Sequence, residues 1–598
     1  MKKLTTFAKL CIVFVIIVGL FGIYKIGLRT GFIPSVGIMK ALIPEKANLP
    51  DVKDALVQNV APVAGPTTKE AEVSTTLIRG AIWEWNAQMG MIFANGGAAT
   101  TKNSLMEKRN VNLFLYRQDD TNKMQEDLIA CAKEIKDGAK QCSNGANFVV
   151  IMGDGSGQFA AAVNPQLQKL GDQYKLIVIG AVGYSRGEDA FMAPPEVKTD
   201  PSKAKGLLVS GVLRDGDWNI AMKWAADNAI SNNPDEKTYD PDAINWINSS
   251  DYNVAATDYV AGKCEERKVI KDGHLTGDTK KVCVNATVTW TPGDVVVVQQ
   301  KGGLVKIVSS KEYKSQMPAV IVGSRAFFEA NKAEVTQMLA AIFEGGDQVK
   351  AFDQSLKKAG DISAKLYKDQ DGAYWYKYYK GVVETDKQGN KVSLGGSFAN
   401  NLADNLILFG LMPGSNDNFR STYTLFANIA IQQYPSLFKD TPIPDVKEIE
   451  DKSYITGAQA VMNDAGSAAE APQYAENAKG AVISERNYNI NFETGKATLT
   501  SSGVKQLMNL KDNFAITDLF IKVVGYTDNT GNEQKVNIPL SLARATAIKT
   551  FLQRQAPDNF PNDRFKIEGL GSENPVASNN TSQGRASNRR VQITLLGK

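Results

Sequence analysis

The chain of 598 residues is longer than one hydrophobic core usually supports, so two or three folded units are expected. A hydrophobic content of 43% and a charged content of 22% exclude a wholly disordered or a polytopic membrane chain. The formal net charge of +4 is small, yet residues 481–598 hold 15 Lys/Arg against 10 Asp/Glu, a bias that suits an acidic partner without saying which.

The N-terminus opens with Lys2, Lys3 and Lys9 ahead of an apolar run from Leu10 to Tyr24, continued by Ile26 and Leu28. The run is short for a spanning helix, but Lys25 can snorkel and extend it. A cleaved signal peptide is the competing reading. No small-residue cleavage pattern follows the run, and no small residue precedes Cys11 as a lipoprotein site needs, so residues 1–28 are read as an uncleaved membrane anchor. The leading lysines put the N-terminus in the cytoplasm and the bulk of the chain in the periplasm, as a single-pass inner-membrane protein. Leu10 to Tyr24 carries no Asp or Glu, which argues against a proton-relaying stator of the MotB kind.

Residues 29–75 contain Pro34, Pro44, Pro50, Pro62 and Pro66 and read as an extended stalk, and the Ala/Glu/Gly-rich stretch 446–481 reads as a second linker. Between them, residues 76–445 alternate short apolar strands with amphipathic helices: Thr76–Trp83, Val111–Tyr116, Phe148–Met152, Lys175–Gly180 and Gly206–Val212, then the helical Trp218–Ile230. Asp120 before Thr121 supplies a helix N-cap rather than an acidic catalytic pair. Gly-rich or polar turns follow several strands, GDGSGQ at 153–158, AVGYSRGED at 181–189 and LRDGDWN at 213–219. Turns at strand carboxyl ends are where open α/β sheets bind ligands. GDGSGQ lacks the Lys-Ser/Thr of a Walker loop and the dinucleotide glycine spacing.

His274 is the single histidine, which removes most imidazole chemistry and His-rich metal sites, and no CxxC spacing occurs. No catalytic residue, metal or cofactor is therefore assigned, and an enzyme is not expected. In an oxidising compartment Cys131–Cys142 and Cys264–Cys283 form two local disulfides; the alternative is four unpaired thiols.

With IWEWNAQMGMIFANGG at 82–97, TPGDVVVVQQKGGLVKIVSS at 291–310 and PAVIVGSRAFFEANKAEVTQMLAAIFEGGDQ at 318–348, the middle section resembles a two-lobed periplasmic solute-binding protein of the ABC-importer kind. The resemblance implies a small-molecule solute held between hinged lobes. Turn positions nominate Ser156 with the amides of Gly155 and Gly157 as an anion nest, and Arg186 and Arg214 as bidentate partners. Trp83, Tyr184 and Trp218, with Trp85, are apolar walls, and Asn86, Asp154 and Asp217 are polar contacts. An isolated Gly-rich turn is commonly only a turn, and a Trp commonly core.

Residues 482–598 alternate strand and helix: the strand NYNINFE at 487–493, a helix capped at Thr500/Ser501, a strand at Leu519–Gly525, a helix at Leu540–Gln555, then strands Phe565–Gly569 and the C-terminal run to Leu595. GYTDNTG at 525–531, Asn537 before LSLARA, GLGSENP at 569–575 and NNTSQGRASNRRVQI at 579–593 stand in the order of an OmpA-like domain, which this segment resembles. The resemblance implies an α+β sandwich that grips the diaminopimelate of peptidoglycan stem peptides, with Asp528 taking its ammonium and Arg544 its carboxylate. Asn537 and Thr527 add neutral hydrogen bonds, Phe492 shapes the floor, and one of Arg585, Arg589 and Arg590 supplies a further contact. Both charged residues are expected at solvent-facing turn or helix-start positions, Arg544 aided by its helix's positive end. The whole chain reads as a multi-domain α/β protein of the envelope with no nucleic-acid partner. The alternative is a structural tether whose binding-protein fold has lost its ligand.

Overall fold

The computed structural model describes residues 60–596, apart from 463–481 and the single positions 229, 312, 314, 494 and 518. The expected anchor at 1–28 and most of the stalk lie outside the described residues, and no described helix is long and apolar enough to cross a membrane.

The larger unit carries two six-stranded sheets. The first contains Leu77–Ile82, Asn112–Arg117, Phe148–Met152, Leu176–Ser185, Pro318–Ser324 and Ser397–Ala399. Leu77–Ile82 runs parallel to both neighbours, whereas Pro318–Ser324 lies antiparallel between Phe148–Met152 and Leu176–Ser185. Its central strands are apolar along their whole length, as in FVVIM, because they are buried on both faces. The second sheet contains Ala190–Ala193, Leu208–Gly211, Ser231–Asn232, Ala243–Asn248, Ala286–Thr289 and Val305–Ser309. The chain passes from the first sheet to the second between Ser185 and Ala190 and returns between Ser309 and Pro318, so two crossings join two lobes.

The lobes are shut on one another. Trp83 of the first packs 5.3 Å from Trp290 of the second, and Asn253 donates to the Glu84 carboxylate at 3.0 Å. Both disulfides form: Cys131–Cys142 ties the helix Thr121–Lys136 to the loop after it, and Cys264–Cys283 closes the antiparallel pair Cys264–Lys271 and His274–Cys283 in direct register.

Two expected connectors are partly folded. From residue 60 the stalk is already held, with Gln348 accepting from the Val63 amide at 3.1 Å and donating to the Ala61 carbonyl at 2.9 Å. The expected linker at 446–481 begins as the helices Val446–Ile449 and Ser453–Met462, whose Val446, Ile449, Tyr454, Ile455 and Ala458 are buried in the first lobe's core. That apolar stripe is sparse and split by a break, which hides it among alanines and glycines.

The C-terminal unit has its own core of Leu507, Phe514, Val523, Ile548, Leu552 and Ile593. Its four strands order as Val482–Tyr488, Val591–Leu596, Phe520–Gly525 and Phe565–Gly569, the last pair parallel and the others antiparallel. Helices Ser501–Ala515 and Ile538–Gln555 pack against the sheet through that core. The expected strand at 487–493 is displaced: Tyr488 ends the strand, and Phe492 makes only an isolated bridge to Leu499 because the Asn491 carbonyl accepts from the Thr500 amide. Helix Ser501–Ala515 also lies against Asn418–Gln433 of the larger unit, where Ser421 donates to Asp512 at 2.8 Å and Lys511 to Asn416 at 2.8 Å.

Candidate functional site

In the C-terminal unit, Asp528 sits in the turn after the strand Phe520–Gly525, and its Oδ1 accepts from the Thr530 amide at 2.8 Å. The Arg589 guanidinium pairs with Oδ2 at 2.6 Å, with Arg589 half-exposed. Burial alone would raise the Asp528 carboxyl, but Arg589 and the Thr530 amide outweigh it and hold the group below the usual carboxylate range. Arg544 does not pair with Asp528. Its Nε donates to the Lys496 carbonyl at 3.1 Å, and its guanidinium lies 5.3 Å above the Phe492 ring. Burial lowers the Arg544 pKa, the nearby Arg589 lowers it further, and Asp528 opposes both. One acid and two bases thus share a small recess.

The solvent-facing expectation for these residues is corrected: Asp528 is 8% exposed and Arg544 7%. Arg544 also rides in the second turn of Ile538–Gln555, past the first turn in which a helix end exerts most of its field. Asn537 and Thr527 turn inward. Asn537 donates to Glu533 at 3.0 Å, and Thr527 donates to the Asp528 carbonyl at 2.9 Å while its amide reaches Gly571 at 2.7 Å. Arg590 stacks 3.8 Å over Tyr526 and reaches Asn487 and Asn574, so it braces the sheet edge. Sequence reasoning passed over Glu533 and Asn588. Glu533 accepts from the Ser572 amide and hydroxyl, and Asn588 clasps Val576 and Ala577, so together they fix the loops around Asp528. Polar residues that bond to distant backbone leave no spacing signal.

In the larger unit the three strand-end turns do meet. Asp154 accepts from Asn219 at 3.3 Å and from Gln316 at 2.8 Å, and a Cβ on Gly155 would stand 2.5 Å from Asp215 Oδ1. That aspartate occupies the approach to the expected anion nest. Ser156 turns its hydroxyl back to the Gly153 carbonyl at 2.6 Å, so the nest is closed by its own chain. Arg186 leaves the cleft, lying 4.1 Å over Tyr184 and 5.6 Å from Phe398. Arg214 faces the rim, 3.8 Å from Glu236 and 5.2 Å over Tyr434, beside a 380 Å³ recess that Gly155 and Asp215 also line. Trp83, Trp85, Asn86, Asp217 and Trp218 are fully buried where the lobes meet, and Asn86 lies 3.5 Å from Glu188. Glu188, Asp189, Tyr252 and Trp290, not nominated from sequence, complete this centre. Among the described residues no group of His, Cys, Asp and Glu is arranged to hold a metal ion.

Residues 491–589 match the OmpA family. Similar proteins include the peptidoglycan-binding protein ArfA of Mycobacterium tuberculosis, 40% identical over 107 residues, which are 18% of this chain and 32% of that one. Outer membrane protein A of Bordetella avium is 41% identical over 107 residues, 18% of this chain and 53% of that one. The chain thus spans between about a third and about a half of these relatives. Among solved structures, the cell wall anchor of the T6SS from Pseudomonas aeruginosa is 25% identical with a TM-score of 0.18, over 20% of this chain and 89% of that one. The periplasmic nitrate-binding protein NrtA from Synechocystis PCC 6803 is 10% identical with a TM-score of 0.44, over 66% of this chain and 90% of that one. With its Asp528 and Arg544 recess and a family match over 491–589, the C-terminal unit of this chain is an OmpA family domain.

Proposed function

We propose that the protein is a cell-envelope solute-binding protein that holds peptidoglycan non-covalently through residues 482–598 and takes a small molecule between the two lobes of its larger unit. The observation that carries the wall-binding half is the presence in one recess of a buried acid, Asp528, held by Arg589, and a base, Arg544, held separately by the Lys496 carbonyl. A zwitterionic diaminopimelate side chain needs both charges at fixed separation, and neither residue quenches the other. Support for the solute half is the convergence of three strand-end turns between two lobes joined by two crossings. In this reading residues 1–28 fasten the chain to the inner membrane, the bulk is periplasmic, and a separate ABC importer receives the solute.

The test is capture of the full-length protein by purified peptidoglycan with free meso-diaminopimelate as competitor. Release by diaminopimelate, with none by an equal concentration of cadaverine, is the expected result, because cadaverine has the same spacing of ammonium groups but no carboxylate. Equal release by both sinks the recognition mode. A structural tether is the second reading, favoured by the apolar core shared across the lobes, in which Trp83 and Trp290 pack directly. An unchanging scattering profile with every solute tried would support it.

A further inference from the structure

Buried acids crowd the junction of the lobes. Asp154, Glu188, Asp189, Asp217 and Asp294 have no exposed surface, and Asp215 borders them with its Oδ2 buried. Asp189 and Asp217 face each other within reach of a shared proton, with Ser185 beside Asp189; as charged carboxylates, both oxygens of each, with Asp154 Oδ1, find no completed hydrogen bond. Trp85 lies beside Asp189 without completing a bond to it. The basic groups here are otherwise engaged: Lys306 pairs with Asp294 at 2.8 Å and donates to the Gly187 carbonyl at 2.5 Å, and Lys223 lies 4.6 Å over the Tyr313 ring.

Aromatic rings surround the same point. Trp83 stands 6.1 Å from Trp85 and 5.3 Å from Trp290, and Tyr252 lies 4.3 Å from Trp290 and senses Asp215, Asp217 and Asp154. Native interiors seldom leave buried carboxylate oxygens without donors, because an unpaired buried charge is costly. Carboxylates and indole faces share one complementary ligand class, a cation with apolar substituents. An anion, the ligand the turn sequences suggested, would be repelled.

We propose that Asp154, Asp189 and Asp217, with Trp83, Trp85 and Tyr252, bind an organic cation, either a small amine or a quaternary ammonium compound. The proposal rests on the solute-binding reading and names its ligand class. The lobes part to admit the cation and close over it, the carboxylates taking its charge and the rings its apolar flanks. Without it, protons stand in: burial pushes Asp154 up to about 8 and raises Asp189 and Asp217, so binding of the cation expels protons and tightens as pH rises.

The full-length protein is titrated at pH 8 with putrescine, choline, nitrate and phosphate, read by tryptophan fluorescence and melting temperature. A saturable response to putrescine or choline is expected, weakened at least about tenfold in Asp189→Asn and in Asp217→Asn. Both isosteric variants should melt above the unliganded wild type at pH 8, because each replaces a carboxyl whose ionisation burial opposes with a neutral amide; this shows that they fold. Wild-type cation binding by both variants overturns the site. A response to nitrate or phosphate alone overturns the cation class and leaves the solute reading standing. No response to any probe, with an unchanged scattering profile, overturns both.

Discussion

Asp528 and Asp154 titrate in opposite directions, and each direction follows from what surrounds the carboxylate. Around Asp528 the Arg589 and Thr530 hydrogen bonds overcome burial and lower the pKa. The unfolded chain then binds more protons, so the pair stabilises fully above the unfolded aspartate pKa of about 3.9 and loses its effect as pH falls through the folded value. Asp528→Asn should destabilise the C-terminal unit by about 1 kcal/mol at pH 7, modest because Arg589 is half-exposed and screened. Thermal melts should show that gap narrowing as pH falls below about 3.9; a gap that does not narrow on acidification would contradict the assignment. Around Asp154, burial dominates the hydrogen bonds from Gln316 and Asn219, and Asp215 and Asp189 add repulsion, pushing the group up to about 8. Here the folded chain holds the extra proton, so stability is fully present below the unfolded pKa and is lost as pH rises toward 8. The unliganded protein should therefore melt higher at pH 5 than at pH 8, and Asp154→Asn should flatten that slope.

At the scale of elements, the two disulfides close loops of 11 and 19 residues. Restricting the unfolded chain over such lengths contributes about 2–4 kcal/mol each. Replacing Cys131 and Cys142 together by Ser should lower the denaturation midpoint of the larger unit and leave that of the C-terminal unit unchanged, measured by separate probes in each; an unshifted midpoint would contradict it. Elements with a strong local signal were legible. Phe148–Met152 reads as a buried strand from its unbroken apolar run, Asp120 caps its helix through the Asn122 amide at 2.8 Å, and Thr500 caps Ser501–Ala515 through the Gly503 amide at 3.1 Å. Elements set by distant partners were not. NYNINFE alternates as a strand should, yet the sheet takes Val482–Tyr488 and leaves the rest to fold back on Thr500. The Gly155 turn has the composition of an anion nest, but its occupant, Asp215, arrives from the other lobe. In the same way the family motifs nominate Asp528 and Arg544, whereas Arg589 as the partner of Asp528 depends on how the final strand returns beside Phe520–Gly525.

For the whole molecule, the OmpA family domain is no loose appendage to the lobed unit. Ile516 joins the larger unit's core cluster, and Asn559 meets Asn416 and Asn418, while Asp558 bonds the Gly414 carbonyl. The helix Asn418–Gln433 beneath this contact also packs on the helices Ser156–Gln168 and Gly216–Asp227 that enter the cleft. The OmpA family domain and the junction of the lobes are thus built on one shared element. Everything in this arrangement depends on whether the recess around Asp528 and Arg544 grips the wall. Truncating one member of a desolvated charged contact typically costs about 2–5 kcal/mol, or roughly 30- to 4,000-fold in affinity. The deciding measurement is co-sedimentation of the full-length protein with purified peptidoglycan, comparing wild type with Asp528→Asn and Arg544→Gln, each checked for a cooperative melt. At least about 30-fold weaker binding by each folded variant is the predicted result; wild-type affinity in both would contradict the assignment of this recess as the wall-binding site.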